Sequence, residues 1–315
     1  MKSFKITEND AEQRLDKFIQ KVAGNLSPSL MYKYLRKKAV KVNGKRALGN
    51  TRLKVGDLVE LYINDEFFTK KNTDFRAIAY QPKLNVVYED ANLLLVDKKP
   101  GVPVHADDHA GRDTLINQVL LYLYQKGDYD PEAEHSFTPA LCNRLDQNTG
   151  GLVMIAKNAA AGRALYEIVK YRQVEKRYLA LALGRFSEKQ ATLRAYLRKD
   201  SRNNRVDICD RPREGYKEII TRYRVLRESE RLSLLEIELV TGRTHQIRVH
   251  LASIGHPVAG DAVYGPRKVI TQLEGQCLHA KTLGFIHPAT GAYVEFDSPL
   301  PEYFTAFIGR LQKEM

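Results

Sequence analysis

The stretch Asn143-Arg144-Leu145-Asp146-Gln147-Asn148-Thr149-Gly150-Gly151-Leu152-Val153-Met154-Ile155-Ala156-Lys157 decides how this chain is read. A carboxylate stands in a loop, Thr-Gly-Gly follows, and the apolar run Leu152 to Ala156 then reads as a short buried strand. Glycine at such a turn lets another backbone or a ligand approach closely. On these residues alone Asp146 reads first as a turn cap or an ion-pair partner. An acid presented beside a cleft is the second reading.

Outward from this loop, Val86-Val87-Tyr88 and Leu93-Leu94-Leu95-Val96 read as strands around the turn Glu89-Asp90-Ala91-Asn92. Thr114 to Leu123 reads as a helix. Asn158 caps another that runs through about Tyr171. Val174 to Leu183 and Leu232 to Val240 read as strands, Thr244 to Ile254 as a helix, and Gly284 to Phe296 as a hairpin about Pro288-Ala289-Thr290-Gly291. Strands and helices mix without a regular βαβ rhythm, which argues for an α+β domain and against a doubly wound parallel sheet.

Toward the amino terminus the character changes. Residues 1–64 hold 14 Lys/Arg against 6 Asp/Glu, so +8 of the whole chain's +12 lies on about a fifth of its length. A basic face on a folded module points to a polyanion, most often nucleic acid. Leu15, Phe18, Ile19 and Val22 recur at helical spacing within Glu12 to Val22. Ser27-Pro28 is a strong helix start, since Ser caps and Pro loses nothing at the first turn. The helix that follows, to about Lys38, turns Leu30, Tyr34 and Leu35 inward and leaves Lys33, Arg36, Lys37 and Lys38 outside. Val40 to Val42, the hairpin signal Asn43-Gly44 and the strand Leu58 to Ile63 complete the module. Residues 65–81 have mixed charge and no period, and read as a linker.

Length and composition exclude other classes. With 315 residues the chain suggests about two domains. A 43% hydrophobic and 28% charged content is that of folded globular protein. No apolar run reaches the roughly 18 residues of a membrane span, and the polar start MKSFKITEND argues against a secretory signal. Cys142, Cys209 and Cys277 are odd in number, far apart and without a CxxC, which disfavours a disulfide framework or a thiolate zinc site and fits a reducing cytoplasm. His245, His250 and His256 invite a metal reading. The first two, five apart, are about 500° around a helix and share no face. No HExxH and no acid cluster accompanies them. No metal and no cofactor is expected.

Two resemblances sharpen these readings. RLDKFI (14–19), SPSLMYKYLRKKAVKVNG (27–44) and VGDLVEL (55–61) resemble the S-four-type RNA-binding domain. This implies a small α/β module that grips structured RNA through its second helix, with Lys33, Arg36, Lys37 and Lys38 as contacts. The loop around Asp146 is similar to that of the RluA-type pseudouridine synthases, in their two-domain RluC/RluD-like form. Further matching stretches are Leu95 to His105, Glu175 to Leu181, Thr241 to Leu251, Gly255-His256-Pro257, Gly260-Asp261 with Tyr264-Gly265, and Leu278-His279-Ala280. Together they run from about residue 82 to 300. Two departures stand out: the family's usual His before Arg144 is Asn143, and its usual Ser after Thr149 is Gly150.

The resemblance implies an α+β catalytic domain over 82–315, with a mixed, largely antiparallel sheet flanked by helices. It implies an isomerase that turns uridine in RNA into pseudouridine, a reaction without redox change. Asp146 is the implied catalytic carboxylate, as nucleophile or base. Arg248 is its implied partner, because a nearby cation favours the charged carboxylate; its planar fork suits a bidentate grip. Tyr178 is the implied active-site tyrosine, stacking on the base or assisting a late proton transfer. Arg144 would enter the space left by a flipped nucleotide, and Thr149 would contact substrate. Large-subunit ribosomal RNA is the expected target, with transfer RNA the alternative. A catalytically degenerate RNA-binding protein is the rival class. No membrane and no obligate protein partner are implied.

Overall fold

The computed structural model describes residues 1–68, 81–105, 113–200, 205–266 and 275–313. The segment read as a linker therefore lies mostly outside the described residues.

The amino-terminal module contains β1 (Lys2–Lys5), α1 (Leu15–Val22), α2 (Pro28–Arg36), β2 (Val40–Val42), β3 (Lys45–Arg46) and β4 (Leu58–Leu61). Its antiparallel sheet has the order β1-β4-β2-β3. Leu15, Phe18, Ile19, Leu35, Val59 and Leu61 form the core, so the apolar stripe of each helix faces the sheet. Ser27 caps α2 by accepting from Leu30 N. Asn43 and Gly44, both at positive φ, make the tight hairpin turn. Phe68 belongs to the same core, so packing continues past residue 64. Strand β1 goes beyond the sequence reading: it is a short charged edge strand with one inward apolar residue, Phe4, too little for a period to show.

The second unit is built on an eleven-stranded sheet. In chain order it has β5 (Val86–Glu89), β6 (Leu93–Lys98), α3 (Leu115–Lys126), β7 (Ala140–Leu141), β8 (Gly150–Ala156), α4 (Ala159–Lys170), β9 (Glu175–Leu183), β10 (Gln190–Asp200), β11 (Arg205–Cys209), β12 (Lys217–Glu228), β13 (Leu232–Leu239), α5 (Gln246–Ser253), β14 (Leu278–Ile286), β15 (Tyr293–Asp297) and α6 (Glu302–Lys313). The main path is β11-β10-β12-β13-β9-β14-β8-β6-β5, with β15 beside β14 and β7 beside β8. Among the described residues only β14 and β8 pair in parallel. The mixed, largely antiparallel sheet is as expected. Strand β8 is buried along its whole length, as the unbroken apolar run requires. Alternation splits the core around it. Val153 and Ile155 face α3, whereas Leu152 and Met154 face α4. A side chain at Gly151, whose φ is +112°, would meet Ala280 O at 2.2 Å. Glycine is thus what lets β8 run against β14 at the mouth of the Asp146 loop.

The two units are joined at the turn that follows β1. Asp10 is wholly buried. It accepts from Thr7 N and Oγ1 in its own turn, and from Ser136 N at 3.0 Å and Oγ at 2.6 Å across the junction. Asn9 Oδ1 accepts from Ala159 N at 3.0 Å, while Asn158 accepts from Ala161 N. The start of α4 is therefore capped from both units.

Candidate active site

Asp146 projects from the loop between β7 and β8 into a cavity of about 320 Å³. Arg144, Thr149, Lys176, Tyr178, Arg243, His245 and Arg248 also line it. The loop is braced from below. Thr149 N donates to Asp146 O at 3.0 Å, and Thr149 Oγ1 accepts from Gln276 at 2.6 Å. Lys98, 2% exposed, donates to the carbonyls of Lys99, Val102 and Gln147 at 3.0, 2.9 and 2.8 Å. Three acceptors meet the three N–H groups of one ammonium. Burial pulls Lys98 down to about 7, with Asp146 and Asp97 pulling the other way.

Both departures from the family motif have a physical account. Asn143 Oδ1 accepts from Met154 N at 2.7 Å and its Nδ2 donates to Leu152 O at 3.1 Å. A single amide thus serves a donor and an acceptor of β8 where the short β7 ends. At Gly150 a side chain would meet His279 Nδ1 at 3.0 Å and Pro100 at 3.2 Å, so the close packing there suits glycine.

Arg248 lies on α5, 5% exposed. Its Nη1 donates to Asp146 Oδ2 at 2.9 Å. The bidentate grip, however, goes to Asp261: Nε to Oδ2 at 2.6 Å and Nη2 to Oδ1 at 2.8 Å. This corrects the expectation of a fork closed on Asp146. Burial opposes the Arg248 charge, but Asp261 and then Asp146 outweigh it and raise its pKa. Asp261 is held low by Arg248 and by the N–H groups of Val263 and Tyr264, against its own burial. The Tyr264 ring lies 5.2 Å from the guanidinium, and its hydroxyl meets His245 Nδ1 at 2.9 Å. His245 Nε2 is in turn 3.8 Å from Asp146 Oδ2.

The start of α5 is pinned to the sheet. Gln246 accepts from Thr241 Oγ1 and Arg243 N, and donates to Ile220 O and Thr221 Oγ1. Tyr178, on β9, is 7% exposed. Burial, and secondarily the charge of Asp146, push its pKa well up, so its hydroxyl is neutral at physiological pH.

Asp146, Tyr178, Arg248, Arg144 and Thr149 thus share one cavity. Arg144 is exposed there, with no carboxylate within 4 Å among the described residues. Lys33, Arg36, Lys37 and Lys38 lie apart from the cavity, all exposed on α2 and the residues after it. Sequence reasoning left Asp261, His245 and Lys98 outside the site. Counting the five donors of a buried guanidinium is the signal that would have sought a second carboxylate. Among the described residues no group of three or more His, Cys, Asp or Glu is placed to hold a metal ion.

Residues 92–253 match the family model described as RNA pseudouridylate synthase, and residues 13–59 match the S4 domain. The chain belongs to the RNA pseudouridylate synthase family, isomerases that convert uridine in RNA to pseudouridine, and it carries an S4-type RNA-binding module ahead of the catalytic fold. It is 33% identical over 307 residues to the "Uncharacterized RNA pseudouridine synthase YlyB" of Bacillus subtilis, covering 98% of this chain and 97% of that one. It is 30% identical over 322 residues to the "Ribosomal large subunit pseudouridine synthase C" of Vibrio cholerae, covering 98% and 96%. The structure of human RNA pseudouridylate synthase domain containing 1 superposes with a TM-score of 0.56 at 27% identity, covering 75% of this chain and 97% of that one.

Two buried histidines behind the site make stability depend on pH. Burial pulls His250, and likewise His279, down to about 4. Between pH 6.5 and 4 the unfolded chain binds protons there that the folded chain does not. Stability is therefore lost as pH falls through this window, at roughly 1.4 kcal/mol per pH unit for each histidine. Urea midpoints at pH 7 and pH 5 should show the drop, and His279→Asn should reduce its slope. An unchanged slope would mean that His279 is not held neutral.

Proposed function

We propose that this enzyme forms pseudouridine in large-subunit ribosomal RNA, with Asp146 acting at the sugar–base bond of a flipped uridine. The observation that carries this reading is the Arg248–Asp146 ion pair, 2.9 Å long, in a cavity that also holds the buried Tyr178. A cavity of about 320 Å³ suits one nucleotide-sized group. In the reaction the N1–C1′ bond breaks, the uracil turns, a C5–C1′ bond forms, the C5 proton leaves and N1 ends protonated. Redox balance is kept. Asp146 acts as nucleophile or base, Arg248 fixes its orientation, and Tyr178 offers a face to the base and a neutral hydroxyl for the late proton transfer. Arg144 fills the gap left in the RNA stack. The ribosomal target is supported by the names of relatives such as the Vibrio cholerae enzyme and by the basic module. Carbodiimide labelling with primer extension, on ribosomal and transfer RNA from cells with and without the gene, tests it. A stop lost from transfer RNA alone would overturn the ribosomal assignment.

Lys33, Arg36, Lys37 and Lys38, all exposed, are the proposed phosphate contacts of the module, and the first three suffice to test it. Each neutralised phosphate releases counterion, so changing all three to Ala should flatten the log–log salt slope of RNA binding by roughly 2 to 3. Single-turnover rates at saturating RNA should stay at the parent value. An unchanged slope would make α2 a solvated surface only.

A further inference from the structure

Helix α4 links the two units. It begins at Ala159, whose N–H is capped by Asn9 of the amino-terminal module, and Arg163 Nη1 reaches Ala11 O at 3.4 Å. Val169, near its end, lines the cavity, as does Lys176 just beyond. Its 12 residues span about 18 Å. Arg163, Tyr166 and Lys170 recur at i, i+3 and i+7 and are all exposed, so they form one stripe along that span.

The stripe is aromatic as well as basic. Tyr166 is 64% exposed and Tyr171 61%, and Lys170 Nζ lies 5.8 and 4.8 Å from their ring centroids. Arg172 follows at a φ of +59°, a conformation uncommon for a side chain of its size, and it too is exposed. Within the stripe the one acidic residue, Glu167, pairs with Lys170. Aromatic faces interleaved with cations suit a strand of unstacked bases joined by phosphates. Base–aromatic stacking serves any base, and cations track the backbone.

We infer that the α4 stripe, Arg163, Tyr166, Lys170, Tyr171 and Arg172, is a track for unpaired RNA that leads from the amino-terminal module to the Asp146 cavity. Tyr166 and Tyr171 stack on bases flanking the target, and Lys170 and Arg172 hold the intervening phosphates. The inference rests on the proposal that the cavity receives a flipped uridine. It adds the path by which the strand arrives.

The test uses the full chain, a labelled oligouridylate of about twelve nucleotides and an RNA duplex of about 16 base pairs. Y166A/Y171A should weaken oligouridylate binding by roughly 25-fold or more and leave duplex binding within about twofold. Y166F/Y171F keeps the rings and should keep the affinity. On ribosomal RNA the alanine pair should raise KM and leave the single-turnover rate at saturation unchanged. Should the alanine pair lose helix by circular dichroism, K170Q/R172Q provides the second reading and should flatten the salt slope for oligouridylate by roughly 1 to 2. Unchanged oligouridylate binding, or a phenylalanine pair as weak as the alanine pair, would overturn the track. A parent that binds oligouridylate through these rings yet makes no pseudouridine in ribosomal RNA would overturn the target assignment alone.

Discussion

Asp146→Asn should abolish pseudouridine formation, lowering the single-turnover rate by more than about 10³-fold, while RNA binding stays at the parent level. The substitution keeps the shape of the side chain and its place against Arg248 Nη1. It removes the charge and the basicity that either proposed role requires. The loop should keep its form, because its braces run through Thr149, Gln276 and Lys98 and not through the carboxylate. Rapid-quench assays with carbodiimide readout measure the rate, and filter binding measures affinity. Turnover within tenfold of the parent would sink the assignment.

Arg248→Lys should be the second most damaging change, lowering the rate by roughly 10²-fold or more and the folding stability by about 3 kcal/mol or more. One guanidinium now serves two carboxylates in different directions, two bonds to Asp261 and one to Asp146. A lysine ammonium is a compact point charge without the planar fork. It can approach one acid and must leave the other, and the forsaken Asp261 is 3% exposed. Urea denaturation separates the two effects, since rates can be taken under conditions where the variant is fully folded. A near-parent rate in the folded variant would make Arg248 a purely architectural ion-pair partner.

Legibility followed the range of the interactions. Helices α1 and α2, with the Ser27 cap and the Asn43-Gly44 turn, rest on neighbours within a few positions, and a single sequence displays them. Strand β8 was equally plain from its unbroken apolar run. Strand β10 was not, because alanines occupy half of its inward row Ala191, Leu193, Ala195 and Leu197, and alanine carries little strand preference. Asp146, Tyr178 and Arg248 were legible as parts of recognisable motifs, but the division of Arg248 between two acids was not. Asp261 stood in a quoted motif with no role attached, since its role depends on how the turn after Val258, which bridges Ala182 of β9, aims the carboxylate at Arg248. Asn143 looked like a departure from pattern. Its purpose, holding Leu152 and Met154 of β8, appears only once the strand is in place.

The cap that Asn9 places on α4 has a consequence for cooperativity. The donor, Ala159 N, lies 150 positions later in the chain, and Ser136 meets Asp10 across 126. Both bonds join segments far apart in the chain, so the seam has a high contact order. Once closed, it makes the melting of the small basic module and the fraying of α4 a shared event, with a helix cap worth about 1 kcal/mol at stake on the catalytic side. Residues that a boundary drawn at the S4 domain would treat as dispensable leader thus belong, thermodynamically, to the enzyme's second unit.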